Sequence, residues 1–418
     1  MGWAMSGIAD PGTTRMATRC CIAGGGPAGM MLGLLLARAG VDVLVLEKHA
    51  DFLRDFRGDT IHPSTLQVMH ELGLLDALLR LPHDQVRTLS AEIGPAKVEI
   101  ADFRHLPTRC GFVALMPQWD FLDFLAAEAK RYPTFHLIME AEATALTEEN
   151  GRVTGLRART PTGFLEIAAD LVIGADGRHS TIRTQARLKV TDLGAPMDVL
   201  WLRLSRHPTD PPQTGGRVES GRILVQLNRG NYWQCAFVIR KGGYDALRAE
   251  GLPWFRETLA ELAPWLGDRV MEIADWDHVK LLTVTVDRLE QWYRPGLLCI
   301  GDAAHAMSPI GGVGINLAIQ DAVAAANLLA GVLLRGAPSE DDLRAVQRRR
   351  TWPVAVTQKV QVVIQNRIIS RVLAGASTET LPLPLRLLQR FPYLRRFPAR
   401  LVGMGVRPEH VRTPTPLA

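Results

Sequence analysis

Cysteine is scarce in this chain, and lysine accounts for only seven of its 48 basic residues. The five cysteines, Cys20, Cys21, Cys110, Cys235 and Cys299, are scattered, and two are neighbours in an apolar run. That usage excludes a disulfide scaffold and a zinc-spaced cluster, and no metal site is expected. It suits a reducing compartment in which cysteine is a small core residue. No long basic run reinforces the net charge of +5, so nucleic acid is not implicated as a partner. No stretch reaches the ~18 uninterrupted apolar residues of a membrane helix. Met1–Arg15 lacks the basic start and apolar stretch of a signal peptide. A cytoplasmic protein is therefore expected, with residues 1–17 forming a loose extension. The composition itself is ordinary, 47% hydrophobic and 22% charged over 418 residues, enough for two to three domains of roughly 150 residues each.

The densest signal lies near the start. Cys20–Ala23 is a strand-like apolar run, followed at once by Gly24-Gly25-Gly26-Pro27-Ala28-Gly29 and a helical segment, Met30–Ala39. Gly40 ends the helix, Val41–Leu46 reads as a second buried strand, and Glu47 with Lys48 stands at its tip. Strand, G-x-G-x-x-G, helix, strand and acid in this order make a dinucleotide-binding βαβ unit. Gly24 permits a tight turn, Gly26 lets backbone approach a pyrophosphate, and Gly29 lets helix and strand close up. The helix N-terminus offers free N–H groups to the phosphates. A carboxylate at Glu47 suits a ribose diol and repels a 2′-phosphate, so the tightly held nucleotide is FAD or NAD rather than NADP. A glycine turn without a nucleotide is the plainer alternative, but strand, helix and acid all agree against it.

Two later segments separate FAD from NAD. An apolar strand from Leu171 runs into Asp176-Gly177, with Ser180 and Arg183 beyond. Another, Gly296–Ile300, ends in Gly301-Asp302-Ala303-Ala304-His305, then Pro309-Ile310-Gly311-Gly312-Val313-Gly314-Ile315-Asn316 and a long Ala/Leu helix to about Leu334. With these motifs in order the chain resembles the FAD-dependent aromatic hydroxylases of the p-hydroxybenzoate hydroxylase type, the single-component class A flavoprotein monooxygenases. The resemblance runs from residue 20 to about 335, and more weakly to about Val411.

The resemblance implies an α/β fold: a Rossmann-like FAD-binding domain of the GR2 type, an inserted antiparallel β-sheet substrate domain and a C-terminal helical segment. The FAD domain would take residues 18–190 and 285–350, the substrate domain 191–284, and the helical region 351–418. It also implies roles. Glu47 would hold the adenosine ribose and Asp302, after Gly301, the ribityl hydroxyls. Gly311–Asn316, including Gly312, Val313, Gly314 and Ile315, would face the isoalloxazine ring. Arg57 would contact FAD and the entering nicotinamide, Gln118 the ribityl chain, and Asp176 both FAD and NADPH. The Pro309 carbonyl would face the substrate and flavin C4a. Asp176 and Asp302 read also as helix caps, and His62 and His305 as structural histidines. Ser180 and Arg183 would shape the loop around Asp176.

From about Asp198 to Asp287 the pattern changes to short alternating runs. Val199–Leu204, Arg222–Gln226 and Trp233–Ile239 read as strands, with a helix over Leu252–Leu266 lying across them. Trp201, Arg203, Gln226, Trp233 and Gln234 are the candidates for contact with substrate, and alternation leaves open which face turns inward. Arg203 could bind a phenolate or carboxylate, or equally sit in a salt bridge. The phenol-activating tyrosines of the family have no clear match among the five tyrosines here. Leu381–Pro408 carries six arginines and no acid. Such a run is more often a solvated helix face, but it could lie on a membrane or bind an anionic partner.

The activity implied is hydroxylation of a phenolic or polyketide-like aromatic by O2, with FAD bound and NADPH or NADH as a transient co-substrate, through a C4a-hydroperoxyflavin. One Rossmann fingerprint, and no Cys-x-x-Cys, argues against a disulfide reductase. The missing Trp-x-Trp-x-Ile-Pro argues against a flavin halogenase. A membrane-associated hydroxylase of quinone precursors and a non-catalytic flavin-binding protein are the alternatives.

Overall fold

The computed structural model describes residues 12–53, 60–211, 214–377 and 380–414. Its core is an eight-stranded sheet. Tyr293–Arg294, Leu297–Cys299, Gly163–Gly174, Thr13–Ala23, Val43–Leu46 and Phe135–Ile138 lie in that spatial order, and Arg152–Thr160 and Glu142–Glu149 extend it as antiparallel strands from Gly163–Gly174. The five strands from Leu297–Cys299 to Phe135–Ile138 are mutually parallel. Cys20–Ala23 and Val43–Leu46 are almost wholly buried, as unbroken apolar runs covered on both faces must be.

The helix Pro27–Arg38 packs on this sheet and against Gly314–Leu333, whose Ala318, Ala322, Ala325 and Ala326 admit a close neighbour. Ile310–Leu333 is long and apolar enough to cross a membrane, yet 78% of the qualifying window is buried in the protein. It is the central core helix, and Gln320 and Asp321 interrupt its apolar run. Glu340–Ile364 lies beside it, opened by a capping box between Ser339 and Asp342 and continued as a π-helical turn, Gln365–Ile369.

The second sheet has seven strands in the order Lys280–Leu282, Met197–Ser205, Tyr232–Arg240, Arg222–Asn228, Gly215–Glu219, Thr88–Ile93 and Ala96–Asp102. One face is closed by the helix Leu252–Leu262 around Leu200, Leu202, Phe237, Phe255 and Leu259. The opposite face carries Met197, Val199, Trp201, Ile223 and Val238, packed against Ile310, Val362, Ile369 and Val372. Thus it looks toward the glycine turn and the long helix.

Three boundaries differ from the sequence reading. The first strand begins at Thr13 rather than near Cys20, because its polar first half pairs in parallel with Phe164–Ala169. The second sheet recruits the hairpin Thr88–Asp102 from the N-terminal part of the chain, so residues 191–284 do not contain it all. The cover helix stops at Leu262, before a kink at Gly267, where φ is +54°.

Candidate active site

Every motif of the sequence ends on one row of the parallel sheet. Cys299, Gly174, Ala23 and Leu46 are register partners across four adjacent strands. The residues that follow, Gly301-Asp302, Ala175-Asp176, Gly24–Gly26 and Glu47, therefore line the carboxyl edge side by side, where an open α/β sheet leaves its crevice.

At the centre of the row Gly24 has φ +111°, and a Cβ there would stand 2.3 Å from the Ala175 oxygen. A Cβ on Gly29 would stand 1.9 Å from the Gly24 oxygen, so neither position accepts a side chain. Gly26 differs: a Cβ there would meet nothing within 4 Å. That free space adjoins the start of Pro27–Arg38, which has no side-chain cap, so room and unpaired N–H groups coincide where a pyrophosphate would lie. Glu47 is buried; one carboxylate oxygen accepts from the Gly25 N–H at 3.0 Å and the other from the His49 N–H at 3.1 Å. Lys48 is exposed beside it. Arg57 lies outside the described residues. Gln118 is half-buried as the first residue of the helix Gln118–Ala129.

Asp176 buttresses a cap rather than forming it, because the N-cap of the short helix Thr181–Gln185 is Ser180. Its carboxylate accepts from the Ser180 hydroxyl and, at 3.0 Å, from the Ile182 N–H, while Ser180 accepts from the Arg183 N–H. Burial raises its pKa although those hydrogen bonds pull the other way. The neighbouring Arg178 reaches across to Asp302 at 3.6 Å, so the D-G and G-D segments meet through side chains. Asp302 stays partly open to solvent, with room for a further partner.

Beneath it lies a buried ionic cluster that the sequence reading did not foresee. One Asp321 oxygen accepts from the Gly301 N–H at 3.0 Å and from His305 Nε2 at 2.6 Å; the other accepts from Arg350 Nε at 2.8 Å. Asp321, His305 and Arg350 are each at most 1% exposed. Burial alone would raise the Asp321 pKa, but His305 and Arg350 hold it below the usual carboxylate range. The available signal was an acid inside an Ala/Leu helix, which needs a partner wherever it is buried.

The glycine turn follows. The Pro309 carbonyl accepts from the Gly312 N–H at 3.0 Å, so it closes the turn. Gly312 has φ +63°, and a Cβ there would press on Thr60 Oγ1 at 2.5 Å; that hydroxyl donates to the Gly312 carbonyl. The helix at Gly314 starts with no side-chain cap, leaving the N–H groups of Gly314, Ile315 and Asn316 at its positive end. The Asn316 side chain does not front the crevice. It is buried and accepts from the His62 N–H and the Thr65 hydroxyl. His62 Nδ1–H donates to the Val402 carbonyl at 2.7 Å, and burial lowers its pKa to about 4, which leaves it neutral and structural. Gln361 binds the Ser308 and Ile310 carbonyls, and Gln365 binds the Ser308 hydroxyl, fixing the turn from the long helix. Those glutamines, four residues apart, were legible as a stripe but had no motif to flag them.

The substrate candidates divide between the two faces of the second sheet. Trp201, Arg203 and Gln234 occupy the face toward the turn; Gln226 and Trp233 pair with Cys235 and Leu204 on the opposite face. Trp233 is fully buried, donates to Asp210 at 2.8 Å and packs on Trp265. It and Gln226 are corrected to the helix-covered core side. Arg203 lies over the Tyr232 ring at 3.8 Å and forms no salt bridge among the described residues, and Gln234 accepts from Arg229. The buried Trp201 indole N–H has no hydrogen-bond partner among the described residues.

The residues present therefore fit a flavin dinucleotide: a glycine cradle with open space, two uncapped helix starts, and carboxylates on the outer and inner strands of one row. Residues 17–360 match the family described as FAD binding domain. The chain is 32% identical over 418 residues to 6-methylpretetramide 4-monooxygenase of Streptomyces rimosus, covering 98% of this chain and 97% of that protein. Among solved structures it is similar to OxyS anhydrotetracycline hydroxylase of Streptomyces rimosus, at TM-score 0.72 and 22% identity, covering 93% of this chain and 76% of that one. PqsL, a probable FAD-dependent monooxygenase of Pseudomonas aeruginosa, gives TM-score 0.72 at 21% identity over 86% of this chain and 99% of that one.

Proposed function

The chain belongs to the FAD-binding-domain family and is an FAD-dependent monooxygenase, and on that premise we propose that it hydroxylates a fused-ring, polyketide-like phenol with NADPH or NADH as reductant. The substrate class follows the near full-length likeness to 6-methylpretetramide 4-monooxygenase. The observation that carries it is the sheet face over the turn: Trp201, Val225 and Ala236 form an apolar surface beside Val362, and Ile310 of the turn packs with Ile223 and Val238 of the same face. A flat apolar ring system suits such a surface, and the Trp201 N–H offers one donor for a ring carbonyl or hydroxyl.

When bound, FAD supplies hydride acceptance and oxygen activation. The protein's residues bind, orient and shield. Glu47 would take the adenosine ribose, the Gly24–Gly29 loop the pyrophosphate, and Asp302 the ribityl hydroxyls. The N–H groups at the start of Gly314–Leu333 would favour negative charge on the nearby ring edge. Arg57 would meet the nicotinamide, which enters transiently because the chain has one dinucleotide fingerprint. Pro309 acts by closing the turn, and the second sheet excludes water. A cytoplasmic location, where nicotinamide is supplied, fits this reading.

The test mixes the flavin-loaded protein with NADPH or NADH in air and a panel of aromatic polyketides. At least one compound should stimulate nicotinamide oxidation and gain one oxygen atom in mass. Nicotinamide oxidation that no ring compound stimulates, with no mass gain, overturns the reading. Asp302→Ala should lower FAD retention; unchanged occupancy removes Asp302 from the cofactor.

A further inference from the structure

We infer that the helices Leu383–Arg390 and Arg396–Gly403 form a docking surface for an anionic lipid bilayer. Leu383, Leu387 and Phe391 recur at every fourth position and all three are exposed. Tyr393 and Phe397 repeat the spacing and are 61% and 70% exposed. These side chains are not left over from an unpacked tail. The opposite sides of the same helices rest on the strand Ala96–Asp102, Ala399 is fully buried, and Gly403 lies close to Phe103 and Leu106. The two helices are thus fixed with their apolar stripe facing solvent.

The charge rimming that stripe has one sign. A solvated helix face ordinarily mixes both, but Leu381–Pro408 holds six arginines and no acid. Arg395 is taken by Glu99. Arg386, Arg390, Arg396 and Arg400 form no ion pair among the described residues, and Arg390 lies over the Phe391 ring at 5.5 Å. Exposed aromatic and leucine anchors ringed by unpaired guanidinium groups match an interfacial helix that enters the headgroup layer of anionic lipid. A second copy of the chain would bring like charges together, so lipid is the better-matched occupant. The surface is also close to the proposed chemistry. Val402, on the second helix, binds His62 and packs beside Gly311 of the glycine turn, so an apolar substrate leaving the bilayer has a short path.

The experiment is co-sedimentation of the full-length flavoprotein with vesicles, which reads binding whether or not turnover occurs. Vesicles containing phosphatidylglycerol should carry the protein down at low ionic strength, vesicles of phosphatidylcholine alone should not, and high salt should release it. Arg386→Glu with Arg390→Glu, and separately Leu387→Asp with Phe397→Asp, should each lower the bound fraction by about tenfold or more. Their melting temperature and flavin content should match the parent, since these side chains are exposed. Absence of binding, equal binding to both vesicle types, or binding indifferent to both variants overturns the proposal. So does concentration-dependent dimerisation that Phe397→Asp abolishes, which would assign the stripe to a second copy.

Discussion

At the carboxyl edge of the parallel sheet, position is fixed by backbone; on the inner face of the second sheet it is fixed by side chains. The first region relies on glycines that admit no Cβ, on helix starts without caps and on one register row through Cys299, Gly174, Ala23 and Leu46. The second relies on Trp201, Ile223, Val225 and Val238 packing against the long helix and the turn. A backbone-built crevice tolerates few substitutions and serves one cofactor. A face of packed side chains can be re-cut for another ring system without disturbing the sheet. One fold can thus keep its flavin and change its substrate.

The comparison breaks most severely where the crevice depends on buried charge. Arg350→Met should cost about 3–5 kcal/mol in urea unfolding, because the buried Asp321 loses its guanidinium partner and keeps only His305 and the Gly301 N–H. Adding Asp321→Leu should recover much of that loss; no recovery would assign Arg350 a packing role only. Gly24→Ala should cost on the order of 3 kcal/mol and eliminate flavin retention, since the new Cβ runs into the Ala175 carbonyl. A variant that keeps its flavin absorbance would show the row to be softer than its geometry.

A pH titration separates the regions again. His62 has its pKa depressed by burial to about 4 in the folded state, against 6.5 ordinarily, so below 6.5 the unfolded chain binds the extra proton. Its contribution is complete above pH 6.5 and is lost as pH falls toward 4, by up to about 3 kcal/mol. His62→Asn should flatten that slope of melting temperature with pH; an unchanged slope assigns it to other groups. The smallest effects compare two tryptophans. Trp233→Phe should cost about 1–3 kcal/mol by removing a donor from Asp210, with KM unchanged. Trp201→Phe should leave stability within about 1 kcal/mol, because its N–H has no partner among the described residues, while raising KM several-fold. Exchange of those two outcomes would reverse the assignment of faces.

The same contrast decides what could be read from sequence. Gly24, Gly29, Glu47 and the G-D segment were legible because backbone demands leave residue types at fixed spacing. The Thr13–Arg19 half of the first strand was not, since an edge-like polar run has no apolar period. The hairpin Thr88–Asp102 is marked in sequence only by its Gly94-Pro95 turn, and its pairing partner lies more than a hundred residues away. Trp201 and Trp233 sit in strands covered on both faces, so alternation carried no sign of which face held the crevice. Asp176 was readable both as a cap and as a cofactor ligand, and its carboxylate is engaged by Ser180 and Ile182.

The interleaving of the two sheets also sets an order of synthesis. All seven strands of the second sheet have left the ribosome by Leu282, whereas the parallel sheet still lacks Leu297–Cys299 and the turn that follows. The cover over the crevice is thus complete before its floor. A nascent chain stalled in between would carry the glycine loop and Glu47 without Asp302 or the core helix. The complete crevice therefore exists only once the chain has been made through the core helix ending at Leu333.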